Sequence, residues 1–231
     1  MSYIDVKQVA FAYDKEQVLT NISFTVNPGE FVILTGENGA AKSTLLKLIL
    51  GLLKVKQGQI VVQTKNQFGQ KMLIGYAPQQ IASFNVGFPS QVYELVASGR
   101  YPNGRWFKKL DAHDKEHIEK ALKSVGMWEM RHKKIGDLSG GQKQRIFLAR
   151  LFATDPDIFI LDEPTTGMDS KSRKQFYDLL KHSCQHHQKA VLMVTHEDGL
   201  LDTYVDKHIH LVREENLPWR CFSMTSCKER S

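Results

Sequence analysis

The sequence is poor in the features that staple, span or export a protein. Only three cysteines, Cys184, Cys221 and Cys227, stand among 231 residues; they form no disulfide framework and fit a reducing compartment as free thiols. No stretch approaches the roughly 20 apolar residues needed to cross a bilayer. The best candidate, residues 45–53, is interrupted by Lys47 and Gly51. Met1 leads straight into strand-like sequence without a basic and apolar leader, so the chain is expected in the cytosol unless a partner holds it at a membrane. Internal repeats and low-complexity linkers are also missing. The net charge of +6 is spread out, with short clusters at Lys108-Lys109 and 131–134 and no aromatic-interleaved basic stripe. Nucleic acid is therefore not an expected partner.

What is present suits an α/β domain carrying an inserted subdomain. Hydrophobic residues make up 42% of the chain, enough for a sizeable core. Ile4, Val6 and residues 18–26 read as strands, with Ile22, Phe24 and Val26 alternating with polar residues. After the turn Asn27-Pro28-Gly29, residues 31–35 form a nearly continuous apolar run, the mark of a strand buried on both faces. Residues 42–50 have helical composition, and 59–62 and 72–77 read as further strands. The character changes over about 87–134, where Ile118, Ala121, Leu122 and Val125 fall at helical spacing. Residues 142–153 read as a helix. Strands over 157–161 and 190–195 flank a helix with Phe176, Leu179, Leu180 and Cys184 on one side. Strands alternating with helices imply a mainly parallel sheet with ligands at the strand ends.

The chemistry begins at Gly36-Glu37-Asn38-Gly39-Ala40-Ala41-Lys42-Ser43-Thr44. A buried strand, a glycine turn and a helix gather unpaired N–H groups around an anion, and the helix N-terminus adds about half a positive charge. Lys42 is placed to reach the β- and γ-phosphates of a nucleotide, and Ser43 to put its hydroxyl on Mg²⁺. Position 41 departs from the general pattern, which has glycine there. A Cβ is costly at positive φ and harmless if the backbone is already helical; helical backbone is expected, with nucleotide binding retained. A second constellation, Asp162-Glu163, ends the apolar run 158–161. Two adjacent carboxylates leaving a buried strand need a cation or a reaction. Asp162 is assigned to Mg²⁺ through water, and Glu163 to polarising the attacking water as general base. His196 follows another strand end.

The segment Leu138-Ser139-Gly140-Gly141-Gln142, between phosphate loop and acidic pair, gives the chain its resemblance to the ATP-binding cassette (ABC) ATPases. The resemblance covers nearly the whole chain. It implies an α/β, P-loop NTPase core with antiparallel N-terminal strands over about 1–79 and 151–212, a helical subdomain over about 80–150, and a peripheral C-terminal tail, 213–231. It implies a head-to-tail homodimer with two sandwiched ATP molecules, each touching Ser139, Gly140, Gly141, Gln142 and Asp169 of the opposite subunit. His196 resembles the family's switch histidine at the γ-phosphate. Gln79 matches the glutamine that senses Mg²⁺ and water, with Gln80 as the rival assignment. Tyr13 resembles the aromatic that stacks on adenine, unless it is simply core.

Residues 78–85, 88–94, 98–102, 209–213 and 218–222, together with the Gly-Ala-Ala-Lys loop, resemble the ATPase subunits of high-affinity zinc importers of streptococcal type. That implies an integral membrane permease as partner, received around 79–94, an extracellular metal-binding protein acting indirectly, and a peripheral location on the cytoplasmic face of the plasma membrane. Manganese and siderophore importers share the Gly-Arg-Tyr-Pro region, and a soluble ABC ATPase acting on DNA or ribosomes is the reading of a different class. His186, His187, His208, His210, Cys221 and Cys227 match no standard zinc spacing; they are expected as solvated histidines and free thiols, with no metal site beyond Mg²⁺.

Overall fold

The strand Phe31–Gly36 (β3) is buried from Phe31 through Thr35, as its unbroken apolar sequence demands of a strand covered on both faces. The computed structural model describes residues 1–79, 90–101, 109–196, 201, 203–214 and 221–229, the side chains of 225–229 excepted. These fall into two compact units: one comprises 1–74, 157–163 and 180–231, the other 75–156 and 164–179.

In the first unit, β1 (Ile4–Tyr13), β2 (Glu16–Val26) and β4 (Gln57–Val62) form an antiparallel group, with Ile4 opposite both Val26 and Val62. The parallel group contains β3, β6 (Ile158–Asp162), β7 (Ala190–Val194) and β8 (Lys207–Arg213). With β9 (Phe222–Glu229) included, the order across these strands is β4-β1-β2-β9-β8-β3-β7-β6. All five residues of β6 and all five of β7 are buried. In register, Leu34 lies opposite Val194 and Val194 opposite Asp162. The carboxyl ends of β3, β7 and β6 therefore finish level, which is where open α/β sheets place ligands. Helix α1 (Lys42–Ile49) leaves β3 through the glycine turn and buries Leu45, Leu46, Leu48 and Ile49.

Two expectations need correction here. The segment 213–231 is not merely a peripheral tail: Phe222–Glu229 is a strand, β9, antiparallel to β8 and joined to β2 at Leu19. Cys221 and Phe222 are fully buried, so this end of the chain adds core. Nor are His208 and His210 solvated. Both bond the hydroxyl of buried Thr35, through Nε2 at 2.7 Å and Nδ1 at 2.8 Å.

The second unit packs α2 (Val92–Ala97), α3 (Ala112–Ser124) and α4 (Gly140–Ala153) around Val92, Val96, Ile118, Leu122, Ile146 and Ala149. The short strand β5 (Ile74–Ala77) leads into it, and α5 (Ser170–His187) starts within it and ends in the first unit. Half-buried Arg100 ties the helices together, donating to Asp114 Oδ1 at 2.9 Å and to the Ala153 carbonyl at 2.8 Å. This unit is larger than the expected insert because the stretch after the acidic pair is bonded to α4. Gln144 donates to the Pro164 carbonyl at 2.7 Å, and Arg145 holds Asp169 at 2.6 Å.

Candidate functional site

The phosphate loop is shaped by close approach. A Cβ on Gly36 (φ 151°) would stand 2.8 Å from the Leu211 carbonyl oxygen, so only glycine fits where the chain turns out of β3. Gly39 also takes positive φ, 86°. Ala41 contradicts its expectation: its φ of 55° and ψ of 21° lie in the left-handed region, not the right-handed helical one. For a residue with a Cβ that conformation costs on the order of 1–2 kcal/mol. The loop therefore carries stored strain one residue before Lys42. Lys42 is buried, and its ammonium donates to the carbonyls of Gly36 at 2.8 Å and Glu37 at 2.9 Å. Burial lowers its pKa, against the opposing pull of Glu163, Asp162 and Glu37.

Across the strand ends, Asp162 is buried and Ser43 hydrogen-bonds its carboxyl. Its Oδ1 has no hydrogen-bond partner among the described residues. Burial raises the pKa of Asp162, partly offset by the Ser43 hydrogen bond. A buried carboxyl oxygen without a donor is costly, and a cation is the group that would satisfy it. The hydroxyl-plus-carboxylate donor set fits Mg²⁺, a hard ion that takes oxygen ligands.

Glu163 sits at φ 51°, a left-handed conformation that a non-glycine residue keeps only when its surroundings fix it. Its N–H donates to the Val194 carbonyl at 3.0 Å, and its Oε1 lies 2.5 Å from His196 Nε2. The register of β6 on β7 brings these two side chains together: Asp162 opposes Val194, so the next residues leave the sheet side by side. Tyr13 ends β1 with 44% of its surface exposed, and its hydroxyl is 3.3 Å from that of Thr44. It is therefore not core, and its ring edge packs on Phe11. One unit thus contains Tyr13, the whole loop from Gly36 to Thr44, Asp162, Glu163 and His196.

Gln79, Ser139, Gly140, Gly141, Gln142 and Asp169 belong to the other unit. Gln79 is exposed beyond the end of β5, and its rival Gln80 lies outside the described residues. Ser139 and Gln142 cap α4 reciprocally: Ser139 Oγ accepts from the Gln142 N–H at 3.3 Å, and Gln142 Oε1 from the Ser139 N–H at 3.0 Å. The two glycines between them have no such role. A Cβ on Gly140 would meet nothing within 4 Å, and one on Gly141 only the Gly167 carbonyl at an ordinary 3.6 Å. Asp169 caps α5 through Ser172, accepting from its N–H at 2.9 Å and its hydroxyl at 2.7 Å. Those bonds, with Arg145 adding to them, hold its carboxyl down at about 2. Arg145 and Ser172 escaped sequence reasoning because ordinary polar residues on helices carry no local signal. The Thr35 bridge was more accessible: residues 207–211 alternate Lys-His-Ile-His-Leu, a strand pattern with both histidines on one face.

Comparison with known proteins agrees with this geometry. The ABC transporter family profile matches residues 19–166. The zinc transport system ATP-binding protein AdcC of Streptococcus pneumoniae is 58% identical over 97% of this chain and 96% of its own length. The high-affinity zinc uptake system ATP-binding protein ZnuC of Bacillus subtilis is 50% identical over 99% of both chains. A dimeric bacterial ABC transporter cassette shares the fold with a TM-score of 0.75 at 23% identity, covering 98% of each chain. With its phosphate loop, its buried acidic strand end and its capped Ser-Gly-Gly-Gln turn, the chain belongs to the ABC transporter family as an ATP-binding subunit.

Proposed function

We propose that this chain hydrolyses ATP to drive import of a divalent metal ion, zinc, through a separate membrane permease. The observation that carries the cargo is the 58% identity, over nearly the full length, to a zinc transport ATP-binding protein. Among the described residues no helix is long and apolar enough to cross a membrane; in this reading the permease carries out translocation. The ATPase does not touch the metal on its route.

In this reading Tyr13 stacks on adenine, and the N–H groups of 36–44 cradle the phosphates. Lys42 exchanges its loop carbonyls for β- and γ-phosphate oxygens. Ser43 and Asp162 would hold Mg²⁺, which would supply positive charge toward the phosphates, and Gln79 would sense the ion and its water. Glu163 orients a water molecule in line with the γ-phosphorus. The new P–O bond forms as the bond to the bridging oxygen of ADP breaks, and the water proton leaves toward Glu163. His196 fixes the Glu163 carboxylate and reaches the γ-phosphate.

The head-to-tail homodimer with two sandwiched ATP molecules is what membership of the ABC family implies, and Gly140 and Gly141 fit it. The steric surroundings of these two in their own chain would admit alanine, which supports close approach by the nucleotide of another subunit. Residues around 79–94, including exposed Gln91, are assigned to the permease's coupling segment, which holds the chain peripherally on the cytoplasmic face. An extracellular metal-binding protein acts upstream of the permease.

The direct biochemical test uses purified protein with Mg²⁺ and ATP. Glu163→Gln should bind ATP, lose nearly all turnover and elute as a dimer in ATP but not in ADP. Turnover within twofold of wild type would remove Glu163 from its assigned role.

A further inference from the structure

Among the described residues outside the nucleotide site, one group of side chains converges as metal ligands do. At the start of α3, Asp111, His113 and Asp114 each offer a donor atom, and all three atoms lie within 4.8 Å of one another. One helical turn on, the Nε2 atoms of His113 and His117 are 3.2 Å apart, their ring centroids 4.4 Å apart. Residues four apart share a helix face, so both imidazoles can reach one ion. The separation has a geometric meaning. Two nitrogens bound to tetrahedral Zn²⁺ at about 2.0–2.1 Å stand about 3.3–3.4 Å from each other, close to the distance found.

We infer that His113 and His117 chelate a single divalent cation of the zinc class, with Asp111 as the adjoining carboxylate. Two imidazoles and a carboxylate form a borderline donor set that suits Zn²⁺ rather than Mg²⁺ or Ca²⁺. Asp114 acts as support: it holds Arg100 at 2.9 Å and accepts from the Asp111 N–H at 3.3 Å, while Asp111 caps it in return at 2.9 Å. These bonds fix the turn from which His113 projects. On the same helix Glu116 pairs with Lys120 and Glu119 with Lys123. The site lies on a helix of the second unit, uses none of the residues assigned to ATP, and does not depend on which metal the transporter carries.

The test is Zn²⁺ titration of the full, nucleotide-free chain against a chromogenic chelator, comparing wild type with His113→Gln and His117→Gln. Each variant should bind one equivalent fewer at the tightest class of site, or bind it at least tenfold more weakly, with Mg²⁺-ATP hydrolysis unchanged. Wild-type stoichiometry and affinity in either variant would overturn the two-imidazole chelate and leave the 3.2 Å contact as a histidine–histidine hydrogen bond. A second measurement needs no variant: substoichiometric Co²⁺ should broaden or shift the amide resonances of 111–118 in the wild-type protein, and unaffected resonances there would overturn the site equally.

Discussion

Glu163 Oε1 and His196 Nε2 lie 2.5 Å apart, at the adjoining ends of two fully buried strands. That contact makes the histidine a positioning group for the carboxylate. His196→Ala should lower kcat by about 10²-fold or more while ATP affinity stays within a few fold. Steady-state hydrolysis beside equilibrium binding of a fluorescent ATP analogue measures both. Unchanged kcat would separate the pair from turnover.

Asp162 should trade stability for function. Its pKa in the folded protein is raised by burial, so ionising it opposes folding. The penalty is absent below its unfolded pKa of about 3.9, develops as pH rises through the folded value, and is complete above that. Asp162→Asn should therefore raise the melting temperature of the nucleotide-free protein at pH 7, and the gain should vanish near pH 3. The same variant should lose Mg²⁺-dependent turnover by at least about 10²-fold. Thermal melts across pH, with and without Mg²⁺, check both halves.

Ala41 holds a left-handed backbone that its Cβ disfavours. Ala41→Gly should release the strain and stabilise the nucleotide-free protein by about 1 kcal/mol, seen as a rise in melting temperature of about 2–4 °C. A lower melting temperature would show that the unfolded-state entropy of glycine outweighs the strain.

The parts of this molecule legible in sequence are those where burial and chemistry leave a local pattern. Phe31–Gly36, Ile158–Asp162 and Ala190–Val194 are apolar runs because both faces are covered. The phosphate loop and Asp162-Glu163 could be placed at strand ends for the same reason. What was missed depends on partners distant in sequence. Phe222–Glu229 becomes a strand only by pairing with β8 and β2, and nothing within it announces that. The Ala41 backbone could have been read either way, because the residue alone does not set its φ. Arg145 and Asp169 meet across 24 positions, beyond the reach of any local motif.

Gly141 offers a test of the second subunit. Gly141→Ala should leave the lone chain as stable or more stable, by several tenths of a kcal/mol, because its Cβ meets only an ordinary contact with Gly167. In the Glu163→Gln background it should abolish the ATP-dependent dimer seen by size-exclusion chromatography. A dimer that persists would place the closing contact elsewhere.

The most direct measurement is cell-associated metal in a strain lacking this gene, grown in chelated medium with zinc, manganese or iron restored singly and complemented with wild type or Glu163→Gln. The account predicts that wild type restores zinc accumulation and growth at zinc concentrations where the other metals fail, and that Glu163→Gln restores neither. Restoration of manganese or iron instead, or of zinc by the hydrolysis-deficient variant, would contradict an ATP-driven zinc importer.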